Sequence, residues 1–243
     1  MKTSQLEILY EDEYMLAVNK PARVMTVPAD SRAQSAPAAK NSQNKSMIEI
    51  VQKAFEEKDF RPYLLHRLDM DTSGVLLFGK NPKHRKELEN ILKDEKTKKF
   101  YVALVRGVPR NATITHALKS RYKGEAEKQK DKESSAVTDF KVFKTFSLWK
   151  GQVCAMASVK ILTGRKHQIR QHFQHIGFPV VMDEMYGDKN FNRRFRLQYG
   201  LSRQFLHAEK IEFFHPFLQK NILINAPLAY DLKAVVGKMS GRR

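Results

Sequence analysis

Segments that alternate like strands outnumber those with helical spacing in this chain, and the two kinds do not take turns. A doubly wound nucleotide fold needs a helix after nearly every strand, so that architecture is disfavoured. The pattern directs the chain to an α+β fold with a largely antiparallel or mixed sheet. Strand candidates are Leu6 to Tyr10, Tyr14 to Val18, Val75 to Phe78, Lys99 to Val105, Val137 to Phe146, Gln152 to Leu162, Phe205 to Phe214 and Asn221 to Ile224, with Val24 to Val27 also extended.

Helix signals are fewer. Ser46 and Glu49 form a capping box, and Ile48, Val51 and Phe55 give the helix behind it one apolar stripe. Asn81-Pro82 opens a second helix, with Leu88, Ile91 and Leu92 facing inward. A third is expected from Thr163-Gly164 to Ile176. It puts Ile169, Phe173 and Ile176 on one side and His167, Arg170, Gln171 and Gln174 on the other. Leu228 to Val236 reads as a last helix. Residues 29–45 and 119–135 have little to bury or a dense charge, and read as mobile loops. Residues 188–203 read as a further basic loop.

Charge narrows the partners. Lys plus Arg number 44 against 26 Asp plus Glu, a formal net charge of +18. Each phosphate such a surface neutralises releases a condensed counterion, so a polyanion is the expected partner. The single cysteine, Cys154, excludes an internal disulfide and suits a reducing compartment. Its strand-like flanks point to a buried structural thiol. Met1 to Leu6 lacks a signal-peptide core, and no run reaches the ~18 apolar residues of a membrane span. A cytoplasmic location and a nucleic-acid partner follow.

The segment His66-Arg67-Leu68-Asp69-Met70-Asp71-Thr72-Ser73-Gly74 carries the densest chemistry, with two cations, two carboxylates and two hydroxyls ahead of a buried strand. Loops held by a rigid sheet are where reacting groups usually sit. Taken alone, Asp69 and Asp71 would serve equally well as turn acceptors. Thr163-Gly164-Arg165-Lys166-His167-Gln168-Ile169-Arg170 offers a helix-borne Arg able to grip a buried carboxylate with both nitrogens, or a plain solvated face. Lys98-Lys99-Phe100-Tyr101 places an aromatic among cations, fit to stack on an unpaired base or simply to pack on an edge strand. His172 and His175 are three apart on a helix but lack the third ligand a zinc site needs.

These blocks together resemble the RluA-type pseudouridine synthase family. His-Arg-Leu-Asp-x-x-Thr-Ser-Gly at 66–74 is similar to its signature. Asn19-Lys20-Pro21, Lys99 to Gly107, Thr163 to His172, and Arg203 to Ala208 with His215-Pro216 resemble its other blocks, in the family's order. The match spans roughly residues 6 to 225. Departures fall at Ala22, where the family usually has Gly, at Phe178-Pro179 for His-Pro, and at Met182-Asp183 for Gly-Asp. Local turns and substrate contacts are expected to differ there.

The resemblance implies a bent mixed or antiparallel sheet flanked by helices, with a central RNA-binding cleft. It implies one catalytic domain over 1–243, without a separate N-terminal RNA-binding domain. It implies isomerisation of a uridine in tRNA or rRNA, with the tRNA-acting branch suggested by Gly187-Asp188, Phe191-Asn192 and Tyr199-Gly200-Leu201. Asp69 takes the part of the catalytic carboxylate, Arg170 of its ion-pair partner, and Tyr101 of the ring on the target base. Arg67, His66, Thr72, Arg165, His167, Lys20 and Lys99 are the expected RNA or substrate contacts. The basic loops at 119–132 and 189–203 are expected to meet phosphates. No cofactor and no metal are expected, and a monomer is the expected state. A catalytically silent RNA-binding or ribosome-assembly protein on the same fold is the alternative.

Overall fold

A computed structural model describes residues 6–28, 45–118 and 136–241. The loops expected at 29–45 and 119–135 therefore lie outside the described residues, apart from Lys45. The described chain gathers into two compact units. One comprises residues up to Thr97 together with Leu206–Tyr230; the other comprises Lys98–Phe205 and the residues from Asp231 on.

The first unit holds a mixed sheet. Its strands are β1 (Ile8–Glu11), β2 (Met15–Lys20), β3 (Tyr63–Leu64), β4 (Ser73–Gly79), β9 (Leu206–His215) and β10 (Lys220–Asn225). β1 pairs with β2, β2 with β4, β3 with β4 and β10 with β9, all antiparallel. β4 and β9 run parallel, through Ser73 opposite His207 and Gly74 opposite Ala208. Every residue of β4 is buried, as its continuous apolar run requires of a strand covered on both faces. A Cβ on Gly74 would stand 2.1 Å from the Ala208 carbonyl oxygen, and its φ is +114°. Only glycine lets the two backbones meet there.

Helix α1 (Met47–Ala54) begins at the expected box: the Glu49 carboxylate accepts from Ser46 N and Ser46 Oγ. Asn81 caps a short 3₁₀ turn, accepting from Lys83 N, which leads into α2 (Arg85–Lys93). Leu88 and Ile91 of α2 enter the core with Met15, Ala17, Val75 and Leu77. Val24 to Val27 form no strand.

The second unit is built on an antiparallel sheet ordered β5 (Lys98–Arg106), β8 (Val153–Ile161), β7 (Ala136–Ser147), β6 (Ala112–His116). β6 is too short to show a period and was not expected. Helices α3 (Gln168–His175), α4 (Lys189–Tyr199) and α5 (Tyr230–Ser240) complete the set. Helix α3 starts later than Thr163-Gly164. The Gln168 side chain accepts from Thr163 Oγ1 and Arg165 N and donates to the Val137 carbonyl and Thr138 Oγ1, holding 163–167 as a turn. Helix α4 replaces the expected basic loop. Asp188 caps it through Phe191 N, Gly200 ends it at φ 77°, and Phe191, Phe195 and Tyr199 bury one side. Arg203 and Asp231 tie the start of α5 to the chain before β9, at 2.7 and 2.8 Å. No helix among the described residues is long and apolar enough to cross a membrane.

Candidate active site

In the first unit the 66–72 loop is pinned by its backbone. Thr72 N donates to the Asp69 carbonyl at 3.0 Å, closing a turn around Met70-Asp71. Thr26 Oγ1 both donates to the Leu68 carbonyl (2.7 Å) and accepts from Leu68 N (3.2 Å). Arg23 N donates to the Met70 carbonyl at 2.8 Å. The Lys20 ammonium donates to the Met70 carbonyl at 2.9 Å and to the Pro21 carbonyl at 2.8 Å. Asp69 is thus flanked by two residues whose carbonyls are held by the segment that follows β2. Its side chain is half-buried, while Arg67 and Met70 are exposed.

Lys20 and Thr72, expected among the RNA contacts, have side chains turned into the fold. Both side chains are buried, Lys20 completely. A buried ammonium must be hydrogen-bonded, and here its partners are the carbonyls of the loop and of Pro21. Lys20 is a clamp on the loop. His66 is half-buried, and its Nε2 accepts from Leu77 N at 3.1 Å, which braces β4 and fixes the ring as the Nδ1–H tautomer when neutral. Arg67 is exposed beside Asp69.

In the second unit Lys99 and Tyr101 lie two apart on β5, opposite Ile161 and Val159, so they share one face. Both are half-buried. Burial lowers the pKa of the Lys99 ammonium. Arg165 is exposed. His167 takes a left-handed backbone (φ 55°) just before α3, and its Nδ1 lies 3.2 Å from the Tyr186 hydroxyl.

Arg170 of α3 grips a buried carboxylate, one of the two arrangements the sequence allowed, and the carboxylate is that of Asp183. Arg170 is 8% exposed and forms a fork-to-fork pair with Asp183, itself 1% exposed. Nε meets Oδ2 at 2.6 Å and Nη2 meets Oδ1 at 2.9 Å. Asp183 Oδ1 also accepts from the backbone N of Met185 and Tyr186. The Tyr186 ring lies under the guanidinium, 5.2 Å from its centre. Asn192 of α4 donates to the Asp183 carbonyl and accepts from Met182 N. Met182 takes φ 63°, which explains why glycine suits that position in the family.

Asp183, Asn192 and Gln168 entered the sequence reading only as members of quoted blocks, with no role of their own, and Tyr186 did not enter it. A lone Asp or Gln gives no local sign of a long-range partner; the departure at Met182 was the only pointer to this turn.

His172 is fully buried, with Nε2 3.3 Å from the His116 carbonyl oxygen and Nδ1 unpartnered. Burial lowers its pKa and favours the neutral ring. His175 instead stacks on His116, ring centres 3.7 Å apart. Among the described residues no three His, Cys, Asp or Glu side chains gather as metal ligands. Cys154 is buried in β8, and burial pushes its thiol up to about 12.

Comparison with known proteins gives this arrangement a family. Residues 14–175 match the RNA pseudouridylate synthase family. The chain is 37% identical over 240 residues to the ribosomal large subunit pseudouridine synthase C of Buchnera aphidicola subsp. Baizongia pistaciae, covering 94% of this chain and 69% of that protein. It is 31% identical to the tRNA pseudouridine synthase C of Vibrio parahaemolyticus, covering 94% and 92%. The solved structure of human RNA pseudouridylate synthase domain containing 1 superimposes with a TM-score of 0.68 at 26% identity, over 97% of this chain and 90% of that one. The chain therefore belongs to the RNA pseudouridylate synthase family, in its RluA-type branch, and is an isomerase of uridine in RNA.

Proposed function

We propose that this chain converts one uridine of large-subunit rRNA or of tRNA to pseudouridine, with Asp69 as the reacting carboxylate. The reaction breaks the N1–C1′ bond, turns the uracil and joins C5 to C1′; the C5 hydrogen leaves as a proton. Asp69 acts beside the sugar, by attack on carbon or by taking a sugar proton. Tyr101 is the ring that packs on the target base. Arg170, its guanidinium oriented by Asp183, is the cation that serves the reaction. Arg67, exposed next to Asp69, contacts the RNA around the extruded nucleotide, with Arg165, His167 and Lys99 as further contacts. A base inside a stack is out of reach, so the target is flipped at a cost of a few kcal/mol.

The observation that carries this reading is the pinned loop. Thr26, Lys20 and Arg23 hold Leu68 and Met70 on either side of Asp69. A reacting group fixed before the substrate arrives needs little reorganisation in the transition state. The substrate supplies every atom of the product, so neither metal nor cofactor is required and a chelator leaves the rate unchanged. The whole chain acts as one catalytic domain, as a monomer, in the cytoplasm where its RNA resides.

The test is release of tritium from C5-labelled uridine in separate rRNA and tRNA transcripts, with the modified position then mapped. Turnover on one class names the substrate. No release from either, by protein that binds both, contradicts the reading.

A further inference from the structure

Helix α4 is held in the second unit more firmly than its sequence suggests. Phe191, Phe195 and Tyr199, spaced four apart, face inward, and Trp149 of the β7–β8 turn packs against all three rings. Asp188 caps the N-terminus and also pairs with Arg106, whose guanidinium lies over the Phe191 ring. Lys238 of α5 donates to the Tyr199 carbonyl at the other end.

The outward side is cationic. At 100° per residue, Lys189 and Arg193 fall opposite the buried aromatic stripe, with the exposed Leu197 a turn further on and Arg196 on one flank. Arg194 lies on the other flank, over the Trp149 ring at 5.2 Å. Helix α4 contains no acidic residue. Arg196 meets the exposed Glu184 at 3.3 Å, whereas Lys189, Arg193 and Arg194 have no carboxylate partner among the described residues. Lys150, beside Trp149 in the turn, adds another exposed cation.

Such a face suits one kind of nucleic acid better than another. Unpaired bases are gripped by exposed rings on which they stack. Here every ring of α4 is turned inward, and Arg194 covers Trp149. What remains is a pair of cations, Lys189 and Arg193, about one turn of 5.4 Å apart with Arg194 and Arg196 on the two flanks, a spacing suited to neighbouring phosphates of a sugar–phosphate backbone. We propose that α4 is a docking helix for the backbone of a double-helical RNA segment beside the target uridine. The proposal rests on the reading of this chain as an RNA pseudouridine synthase, and adds where the folded part of the substrate lies.

The test uses the full chain carrying Lys189→Ala and Arg193→Ala together. Both side chains are exposed, so a thermal melt matching wild type is expected. Affinity for a blunt RNA duplex and for a single strand of equal length is measured across a salt series. KM and kcat are measured on the structured substrate. The proposal predicts a duplex affinity at least about tenfold weaker, with a salt slope shallower by about one per cation removed. KM rises and kcat stays unchanged. Trp149 is the only tryptophan, so its emission should respond to duplex in the wild type and less in the variant. Unchanged duplex affinity and slope would overturn the proposal. So would an equal loss on single strand, which would mean a non-selective basic surface. If wild-type protein shows no turnover, the isomerase reading fails on its own, and the duplex comparison still tests the docking helix.

Discussion

Arg170 and Asp183 meet fork to fork inside the second unit, through Nε–Oδ2 at 2.6 Å and Nη2–Oδ1 at 2.9 Å. The pair fixes the plane of a guanidinium that would otherwise turn freely about its side chain. Removing one partner of a buried pair leaves the other charge uncompensated, at roughly 3–5 kcal/mol. Asp183→Ala is expected to lose stability on that scale in urea unfolding. Arg170→Lys keeps the charge and gives up the fork, so it is expected to lower kcat more than tenfold with a smaller stability loss. Equal kcat for Arg170→Lys and wild type would count against a directional role for the guanidinium.

Lys20 holds the far side of the Asp69 loop. Lys20→Met fills a similar volume but takes the ammonium from the Pro21 carbonyl and leaves the Met70 carbonyl with Arg23 N alone. A lost hydrogen bond to a charged donor costs about 1.5–3 kcal/mol where the acceptor is not rehydrated. The expected outcome is a lower melting temperature and a reduced kcat, with RNA affinity close to wild type because the ammonium is buried. A selective loss of RNA affinity would mean that Lys20 reaches the substrate after all.

Acid should loosen α5. Burial pushes the Asp231 carboxyl up, but the Arg203 hydrogen bonds and charge more than offset it, and the net pKa is lowered. A carboxyl group depressed in the folded state contributes stability above its unfolded value of about 3.9. That contribution is lost as the pH falls through the lower folded value. Asp231→Asn is therefore expected to be less stable than wild type at pH 6, and the difference should shrink below about pH 4. A stability gap independent of pH between 2 and 6, on denaturant titration, would contradict the ion pair.

Cys154 should be inert in the native protein. Burial pushes its thiol up to about 12, so at pH 8 almost none is thiolate, and the side chain is inaccessible. Disulfide-exchange reagents are expected to label it only after unfolding. Rapid labelling of folded protein would show that β8 opens far more readily than its burial implies.

The sequence made most strands legible because their alternation or continuous apolar runs survive at single-residue scale. β4, for example, is expected at Val75 to Phe78 and observed at Ser73–Gly79. The capping box at Ser46 and Glu49 is likewise a local device with a local signature. Helix α4 was hidden because four cations in eleven residues outweighed three aromatics spaced four apart. The start of α3 was misplaced because a side-chain bracket, Gln168 on Thr163 and Arg165, stops the helix where backbone propensity would extend it. The position of the Asp69 loop was readable from its motif. The residues that pin it were not, since Thr26 and Leu68 lie 42 positions apart. The sequence allowed Arg170 a buried carboxylate but could not name Asp183 as one, and Lys20, read as an RNA contact, gave no sign of its burial, because a buried charge looks, in sequence, like any other.

One measurement bears most directly on the carboxylate of the pinned loop. Asp69→Asn is prepared alongside wild type and given C5-tritiated RNA under single-turnover conditions. RNA binding and thermal stability are followed in parallel. With Asp69 as the reacting carboxylate, the variant binds RNA with near wild-type affinity, melts at a similar temperature and releases no tritium. Tritium release at the wild-type rate by Asp69→Asn would contradict it.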